Sequence, residues 1–195
     1  MATKHISANK FDEVRKEIET ILPKSPVESD LIHAGLVLKW VLKLKPDADE
    51  ALKIAALSHD IDRAITGITE KDLKRDFKPE DYVIFKKAHS IRSANFICEI
   101  LERHNYPKKT IEKVRHLVEN HEFGGDKETN ILTDADSIAY FEYNIPVYLK
   151  RSGEEQTKKK IRFMYERISD RAKSMVKGIK YEDPKISALV EQSIS

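Results

Sequence analysis

The stretch ALKIAALSHDIDR, residues 51–63, joins a helical apolar stripe to a histidine and an aspartate. Leu52, Ala56 and His59 recur at the spacing of one face of an amphipathic helix. The spacing therefore predicts a helix whose inner face ends in His59. Asp60 follows directly, so two groups of the kind that bind divalent ions stand at the end of a buried stripe.

Other polar side chains fall on inward faces in the same way. His33 shares a face with Val37 and Trp40, and His121 closes a stripe that includes Val118. Six such groups are expected to point inward: His33, His59, Asp60, His89, His121 and Asp136. A buried polar group without a partner costs about 1–3 kcal/mol, and a charged one more. A pair of metal ions would be a common partner for all six.

Apolar residues recur at three- or four-residue intervals almost throughout, which predicts an all-α fold in one domain, residues 1–195, built from about seven helices. The predicted helices cover about 9–22, 28–45, 48–62, 80–104, 108–122, 130–149 and 154–178, with a short one near 184–193. The connection 64–79 directly follows the His-Asp pair. We interpret it either as a functional lid or as a plain surface excursion.

Composition restricts the class of protein. The 195 residues carry 35 basic and 33 acidic side chains, a net charge of +2, so binding to a nucleic-acid polymer is not expected. The single cysteine, Cys98, lies on an apolar helical face and is interpreted as core packing in a reducing compartment. The N-terminus lacks the apolar run of a signal peptide, and no stretch is long enough to span a bilayer. A cytoplasmic protein without membrane contact is expected.

The remaining histidines, tyrosines and basic residues are expected to be solvated or to pack, without a role in the site. His116 shares a face with charged residues, His104 lies near a helix end and His5 in a polar N-terminus, so none is expected to be a ligand. Tyr140 and Tyr143 are interpreted as aromatic packing near the mouth of the site. Solvated positions are predicted for a further set of basic residues: Lys86, Lys87, Lys150, Arg151 and the run Lys158–Lys160.

Three motifs resemble one known family. AALSHDIDR, residues 55–63, resembles the signature of the HD superfamily, helical metal-dependent enzymes named for their adjacent His-Asp pair. SDLIHAGLVLKWVL, residues 29–42, resembles the upstream helix of that domain, and ILTDADSIAYFE, residues 131–142, resembles its closing aspartate helix. The likeness covers roughly residues 28–145, and 150–195 would form a C-terminal helical extension. It implies a single HD-domain helical bundle.

The resemblance also implies a ligand set. His33, His59, Asp60 and Asp136 match the four-residue core of the family, and Asp134, the rival for the last position, is read as supporting a ligand or capping a helix. Some members add two histidines and hold two ions, and the residues here that look like them are His89 and His121. In that case Asp60 would bridge the ions. The alternative left open is one ion, with His89 and His121 hydrogen-bonded around it.

Phosphoester hydrolysis is the favoured expectation. Two divalent ions with a bound hydroxide suit attack on phosphorus, and the sequence does not distinguish iron, manganese, magnesium, cobalt, nickel and zinc. Asp60 and Arg63 are the expected catalytic residues, and Arg63 and Arg92 are expected to bind the phosphate of a small phosphorylated metabolite or nucleotide. Both arginines would serve equally well in ion pairs, for instance with Asp62. The chain lacks the Gly-Tyr-Pro motif of the cyclic-dinucleotide phosphodiesterases, so that activity is not expected.

Two other functions remain open. The ligand order also resembles the mixed-valence di-iron oxygenases of the superfamily, which need iron and oxygen. A non-catalytic ligand sensor on the same fold is the third reading. A homodimer is left open as well, since a set of C-terminal apolar residues would suit either a core or a dimer contact: Ile161, Met164, Ile168, Ile186, Leu189 and Val190.

Overall fold

The computed structural model describes residues 3–73 and 78–194 of the chain. These residues form helices and connections with no strand, which confirms the all-α prediction. The α-helices are α1 (Thr3–Ile21), α2 (Asp30–Leu44), α3 (Glu50–Ser58), α4 (Ile61–Thr66), α5 (Pro79–Arg103), α6 (Lys108–Asn120), α7 (Lys127–Ala139), α8 (Ile145–Ser152), α9 (Glu154–Glu166), α10 (Asp170–Lys177) and α11 (Pro184–Ile194). Short 3₁₀ turns occupy Leu22–Lys24 and Glu70–Asp72, and a π-helical segment occupies Tyr140–Asn144.

Local chemistry explains several helix ends. Asp49 and Asp126 cap α3 and α7, because their carboxylates accept hydrogen bonds from amides of the first helical turn. Pro79 begins α5, where its missing amide costs nothing. Gly67 ends α4 with a positive φ of 73°, a conformation that favours glycine.

Three predicted helices are each interrupted. Asp60, at φ −107° and ψ 11°, leaves the helical region and separates α3 from α4 inside the predicted helix 48–62. Ser169 caps a new helix, α10, and so divides 154–178. The π segment Tyr140–Asn144 divides 130–149. The spacing of apolar residues continues across all three breaks. It therefore predicted each pair of helices as one continuous helix.

One apolar core joins the helices. α2 packs against α3 and α7, while α6 packs against α3 and α5. The C-terminal helices are part of this arrangement, since α9 packs against α8 and α11, and α10 against α7. The apolar residues that suited either a core or a dimer contact are buried within the chain's own core: Ile161, Met164, Ile168, Ile186, Leu189 and Val190. Cys98 is buried as expected.

The connection 64–79 is only partly described. Its first residues complete α4, and a 3₁₀ turn follows at Glu70–Asp72. Residues 74–77 lie outside the described part, so the lid prediction is not tested there. Within residues 3–73 and 78–194, no helix combines the length and the apolar character that crossing a bilayer requires.

Candidate metal centre

The six side chains expected to point inward meet at one place. His33 lies on α2, His89 on α5 and Asp136 on α7, while His59 and His121 directly follow the last residues of α3 and α6. Asp60 stands in the break between α3 and α4. Three pairs of imidazole ring centroids lie close together: His33 and His59 at 5.4 Å, His59 and His121 at 5.1 Å, and His89 and His121 at 5.8 Å.

The carboxylates reach the inward nitrogens of these rings. The Nε2 atom of His89 lies 2.7 Å from Oδ1 of Asp60, and that of His59 lies 3.4 Å from the other oxygen, Oδ2. The Nε2 atom of His33 lies 3.0 Å from Oδ1 of Asp136, which is also 3.8 Å from Nε2 of His59. Asp60 therefore contacts imidazoles on both sides of the cluster through different oxygens.

In all four imidazole rings, the outer nitrogen faces a hydrogen-bond acceptor. The outer nitrogen, Nδ1, lies 3.0 Å from the Ala56 carbonyl in His59 and 2.7 Å from the Val118 carbonyl in His121. In His33 it lies 3.0 Å from Oδ1 of Asn144, and in His89 it lies 2.6 Å from Oδ1 of Asp62. In His33 and His89 the inward Nε2 also faces a carboxylate oxygen. In His59 and His121 the carbonyl acceptor places the ring proton on Nδ1 and leaves the inward Nε2 with its lone pair. Oriented histidine ligands of metal ions have this arrangement.

Two of the inward nitrogens lack a hydrogen bond. The Nε2 atoms of His59 and His121 have no hydrogen-bond partner among the residues that the structure describes, and both side chains are fully buried. A buried acceptor without a partner is unfavourable by about 1–3 kcal/mol. A cation at the centre of the cluster would satisfy both lone pairs, so the donor set fits a metal ion.

Protonation favours the same interpretation. Burial lowers the pKa of His59, His89 and His121, that of His121 to about 4, so these rings are neutral near pH 7. Burial alone would raise the pKa of Asp136, but the nearby Arg167 and the hydrogen bond to His33 outweigh it and hold the pKa well below the usual range. Neutral imidazoles beside an ionised carboxylate are the forms that coordinate a divalent cation.

Two groups of side chains each converge closely enough to hold an ion. The first contains His33, His59 and Asp60, and the second contains Asp60, His89, His121 and Glu122; in each, the candidate ligand atoms lie within 4.8 Å of one another. All of these residues are buried or nearly so. The groups share Asp60. The chain therefore carries buried histidine and carboxylate groups that could hold a metal ion.

Asp62 contacts the outer side of one histidine of the cluster. One carboxylate oxygen accepts from Nδ1 of His89, and the other lies 2.7 Å from Nε of Arg92. Asp62 is fully buried, and Arg92 does not line the pocket described below. The structure thus shows Arg92 holding Asp62, and its contact with a phosphate stays a prediction.

Arg63 is held by two carboxylates. Its Nε and Nη2 atoms each lie 3.1 Å from an oxygen of Asp30, and Nη2 also contacts Asp60 closely. Arg63 lines the pocket, so phosphate binding by it also stays a prediction. In this structure Arg63 orients Asp60 toward the histidines.

Sequence reasoning missed Glu122 and Arg167. Glu122 directly follows His121 and is buried, with Oε1 3.4 Å from Nε2 of that histidine. Arg167, on the turn that ends α9, pairs with Asp136 and lies 2.8 Å from Glu122. One signal was available: Lys160, Met164 and Arg167 recur at helical spacing on one face of α9.

The prediction of solvated positions is wrong for Lys86 and Lys160, and Arg151 is only partly exposed, with a buried Nε atom. Lys86 is only 6% exposed and pairs with Glu122, and Lys160 is mostly covered and lies 3.1 Å from Glu70. Lys86 stands one helical turn before His89, so the helix face that carries the histidine was a signal for its burial that the solvated prediction did not use. Long aliphatic stems allow lysines to lie within a core while the ammonium reaches a carboxylate.

A pocket of about 580 Å³, counted to its open mouth, adjoins the cluster. His33, Asp60 and Asp136 form part of its wall. Five basic side chains also line it: Arg63, Lys86, Arg151, Lys160 and Arg167. Five acidic ones accompany them: Asp30, Asp60, Glu70, Glu122 and Asp136. Among the lining residues that the structure describes, the formal charges therefore cancel when no ion is bound.

The π-helical segment aims two side chains at the site. The widened turn carries Asn144 under His33, where its oxygen faces Nδ1, and it brings Tyr140 into the pocket wall. The segment is anchored by Glu142, whose carboxylate lies 2.5 Å from Nε1 of Trp40. Single π turns inside α-helices recur at functional sites.

The residues that were not expected to be metal ligands make their contacts outside the cluster. Asp134 accepts from the amide and hydroxyl of Ser169, at 2.8 and 2.6 Å, so it supports the start of α10. The His116 side chain is 57% exposed beside Asp126, and His104 contacts Glu17. The side chain of His5 lies outside the described residues.

Comparison with known proteins adds one relationship. No curated protein and no solved structure matches the chain. A family model with the description "Domain of unknown function (DUF4202)" matches residues 2–190, nearly the whole sequence. The chain therefore belongs to the DUF4202 family.

Proposed function

We propose that this protein is a metal-dependent phosphohydrolase of the HD type, acting on a small phosphorylated metabolite or nucleotide. His33, His59 and Asp136 would hold one divalent ion, His89 and His121 a second, and Asp60 would bridge them. Two convergent ligand groups that share Asp60 support a dinuclear centre over a mononuclear one. Glu122 belongs to the second group and is a further candidate ligand.

The charge of the adjoining pocket carries the hydrolase proposal. Its lining, as far as the structure describes it, has five basic and five acidic residues, whose formal charges cancel. Two divalent ions on the carboxylate side would leave the pocket strongly positive, and the negative charge of a phosphorylated substrate would offset part of that charge. A partly enclosed site strengthens such interactions, because solvent screens them less than at an open surface.

The chain's own residues would prepare the reaction. Divalent ions at this centre would supply Lewis acidity toward phosphoryl oxygens and would lower the pKa of an attacking water. Arg63 and Arg167 hold the carboxylates of Asp60 and Asp136 in place, so these ligands need no reorganisation when ions enter. Lys86 lies on the pocket side of His89, where its ammonium would orient an anionic substrate beside the centre.

Metal content and turnover test the proposal together. Purified protein loaded in turn with manganese, magnesium, zinc, cobalt, nickel and ferrous ions is assayed under anaerobic conditions on p-nitrophenyl phosphate, bis-p-nitrophenyl phosphate and nucleoside monophosphates. We expect two ions per chain by elemental analysis, and phosphate release with at least one metal. Asp60→Ala should lose both ions and all turnover, because it removes the shared ligand. His116→Ala, which removes an exposed histidine, should retain both.

Three outcomes would contradict the proposal. Turnover that requires ferrous iron and oxygen, with no hydrolysis under nitrogen, would favour the di-iron oxygenase reading. Tight binding of a phosphorylated compound that is recovered unchanged would favour a sensor. Wild-type protein that binds no divalent ion would exclude the metal centre itself.

A further inference from the structure

Tyr140, Tyr148 and Arg151 form the α8 side of the pocket, and we call these three residues the α8 wall. The guanidinium carbon of Arg151 lies 4.9 Å from the ring centroid of Tyr148. The rings of Tyr148 and Tyr140 meet edge to face, with centroids 6.2 Å apart. Stacking on an aromatic face fixes a guanidinium plane without using its hydrogen-bond donors.

Two donors of the α8 wall are buried without a hydrogen bond. The hydroxyl of Tyr140 and Nε of Arg151 have no hydrogen-bond partner in the described part of the chain, and Tyr140 is only 4% exposed. Burial raises the pKa of Tyr140, so its hydroxyl keeps its proton and stays a donor. A buried donor without an acceptor is costly, and both residues line a pocket that a ligand can enter.

Arg151 also differs from the other basic residues of the pocket in its pairing. Arg63, Lys86, Lys160 and Arg167 each form ion pairs with acidic side chains of the lining. Across residues 3–73 and 78–194, Arg151 forms no ion pair with a carboxylate of the chain. Its charge is therefore available to an anion from outside.

The side chains of the α8 wall are linked to the metal cluster through intermediate side chains. Tyr148 donates to Glu70 at 3.3 Å, Glu70 lies 3.9 Å from Lys86, and Lys86 pairs with Glu122. No contact within the described ranges joins Arg151 to a candidate metal ligand. An anion on Arg151 would therefore displace no hydrogen bond or ion pair of a candidate metal ligand.

We propose that Arg151 and the Tyr140 hydroxyl bind a second anionic group of the substrate, a carboxylate or a phosphate, while a first phosphate reacts at the metal centre. The substrate class is then a small phosphoester that carries another acidic group. This inference rests on the proposed function for the reacting phosphate, but the anion site itself does not require turnover.

Calorimetric titration with inorganic phosphate tests the anion site directly, in protein freed of metal by a chelator. Wild-type protein should bind one phosphate. Arg151→Met should weaken that binding about tenfold to a hundredfold, because charge-assisted hydrogen bonds are lost. Tyr140→Phe keeps the packed ring and should weaken it less. Lys150→Met is the matched control, since it removes a neighbouring exposed charge and should leave the affinity unchanged.

The titration has two results that would overturn the inference. One is a wild-type protein that binds neither phosphate nor acetate without metal. The other is an Arg151→Met protein that binds these anions as tightly as the wild type. Because no metal or turnover is involved, either result is separate from failure of the phosphohydrolase proposal. Replacing phosphate by acetate in the same titration tells a phosphate-selective site from a carboxylate site.

Matched substrates then connect the anion site to the reaction. 2-Phosphoglycerate and glycerol 2-phosphate differ only in a carboxylate, and fructose 1,6-bisphosphate and fructose 6-phosphate differ in a second phosphate. Arg151→Met should raise KM for the acidic member of a pair with little change in kcat, and should leave the other member unaffected. An equal fall in kcat for both members would mean that Arg151 contacts the reacting phosphate, and the inference would fail.

Discussion

Single residues around the cluster differ in whether they would bind an ion or hold a residue that does. Asp62 is fully buried, and its carboxylate faces away from the centre of the cluster. One of its oxygens contacts His89 and the other contacts Arg92. Such a carboxylate fixes the ring orientation and raises the basicity of the inward nitrogen. Asp62 is therefore a positioning residue.

The variant Asp62→Asn tests that role. The amide keeps the size of the side chain but loses the charge that pairs with Arg92 and polarises His89, so the affinity for a divalent ion should fall about 10–100-fold. Competition with a chromophoric chelator measures it. Glu80→Gln, at an exposed position on α5, the helix that carries His89, is the control. Unchanged affinity in Asp62→Asn would mean that His89 is not a ligand.

At the scale of elements, the 3₁₀ turn at Glu70–Asp72 joins α9 to α5. Glu70 accepts from Lys160 at 3.1 Å and from Tyr82 at 2.9 Å, and Lys86 lies 3.9 Å away. Burial alone would raise the pKa of Glu70, but the two lysines outweigh it and hold the pKa far below its usual value. The ionised carboxylate therefore links three elements.

This lowered pKa predicts a pH dependence of stability. The unfolded chain takes up a proton on Glu70 near pH 4.5 and the folded chain does so only at lower pH. The stabilisation from Glu70 is therefore complete above about pH 4.5 and is lost as the pH falls below it, by at most about 1.4 kcal/mol per pH unit. In urea unfolding, Glu70→Gln should be less stable than the wild type at pH 7, and the difference should shrink toward about pH 3.5.

A matched variant separates this effect from general acid unfolding. Glu155→Gln removes a carboxylate from an exposed position on α9, where the side chain is 82% exposed. Its difference from the wild type should stay small at every pH. If the difference in free energy of unfolding between Glu70→Gln and the wild type also stayed constant with pH, the lysines would not lower the pKa of Glu70.

At the scale of the whole molecule, the C-terminal helices contribute residues to the site. α9 carries Lys160, and Arg167 follows its last turn, and both line the pocket. The same region buries Ile161 in the common core. Packing of α9 therefore determines both the stability of the fold and the basic wall of the site.

Two alanine variants compare this packing with an exposed position. Ile161→Ala, at a fully buried site, should lower the free energy of unfolding by about 2–5 kcal/mol, because it leaves a cavity. Ile84→Ala, where the isoleucine is 66% exposed, should change it by no more than about 0.5 kcal/mol. Chemical denaturation measures both. Equal effects would mean that α9 is not part of the cooperative core.

The sequence by itself determined the helical class and the inward-facing polar residues. Apolar periodicity depends on each helix alone, so it identified His33, His59, His121 and their neighbours without knowledge of how the helices meet. Only the tertiary structure decided which charged residues join them. Helical spacing placed Lys86, Lys160 and Arg167 on faces with inward residues, but a charge is buried favourably only when a partner from another helix reaches it. Those partners are distant in sequence, and packing alone brings them together.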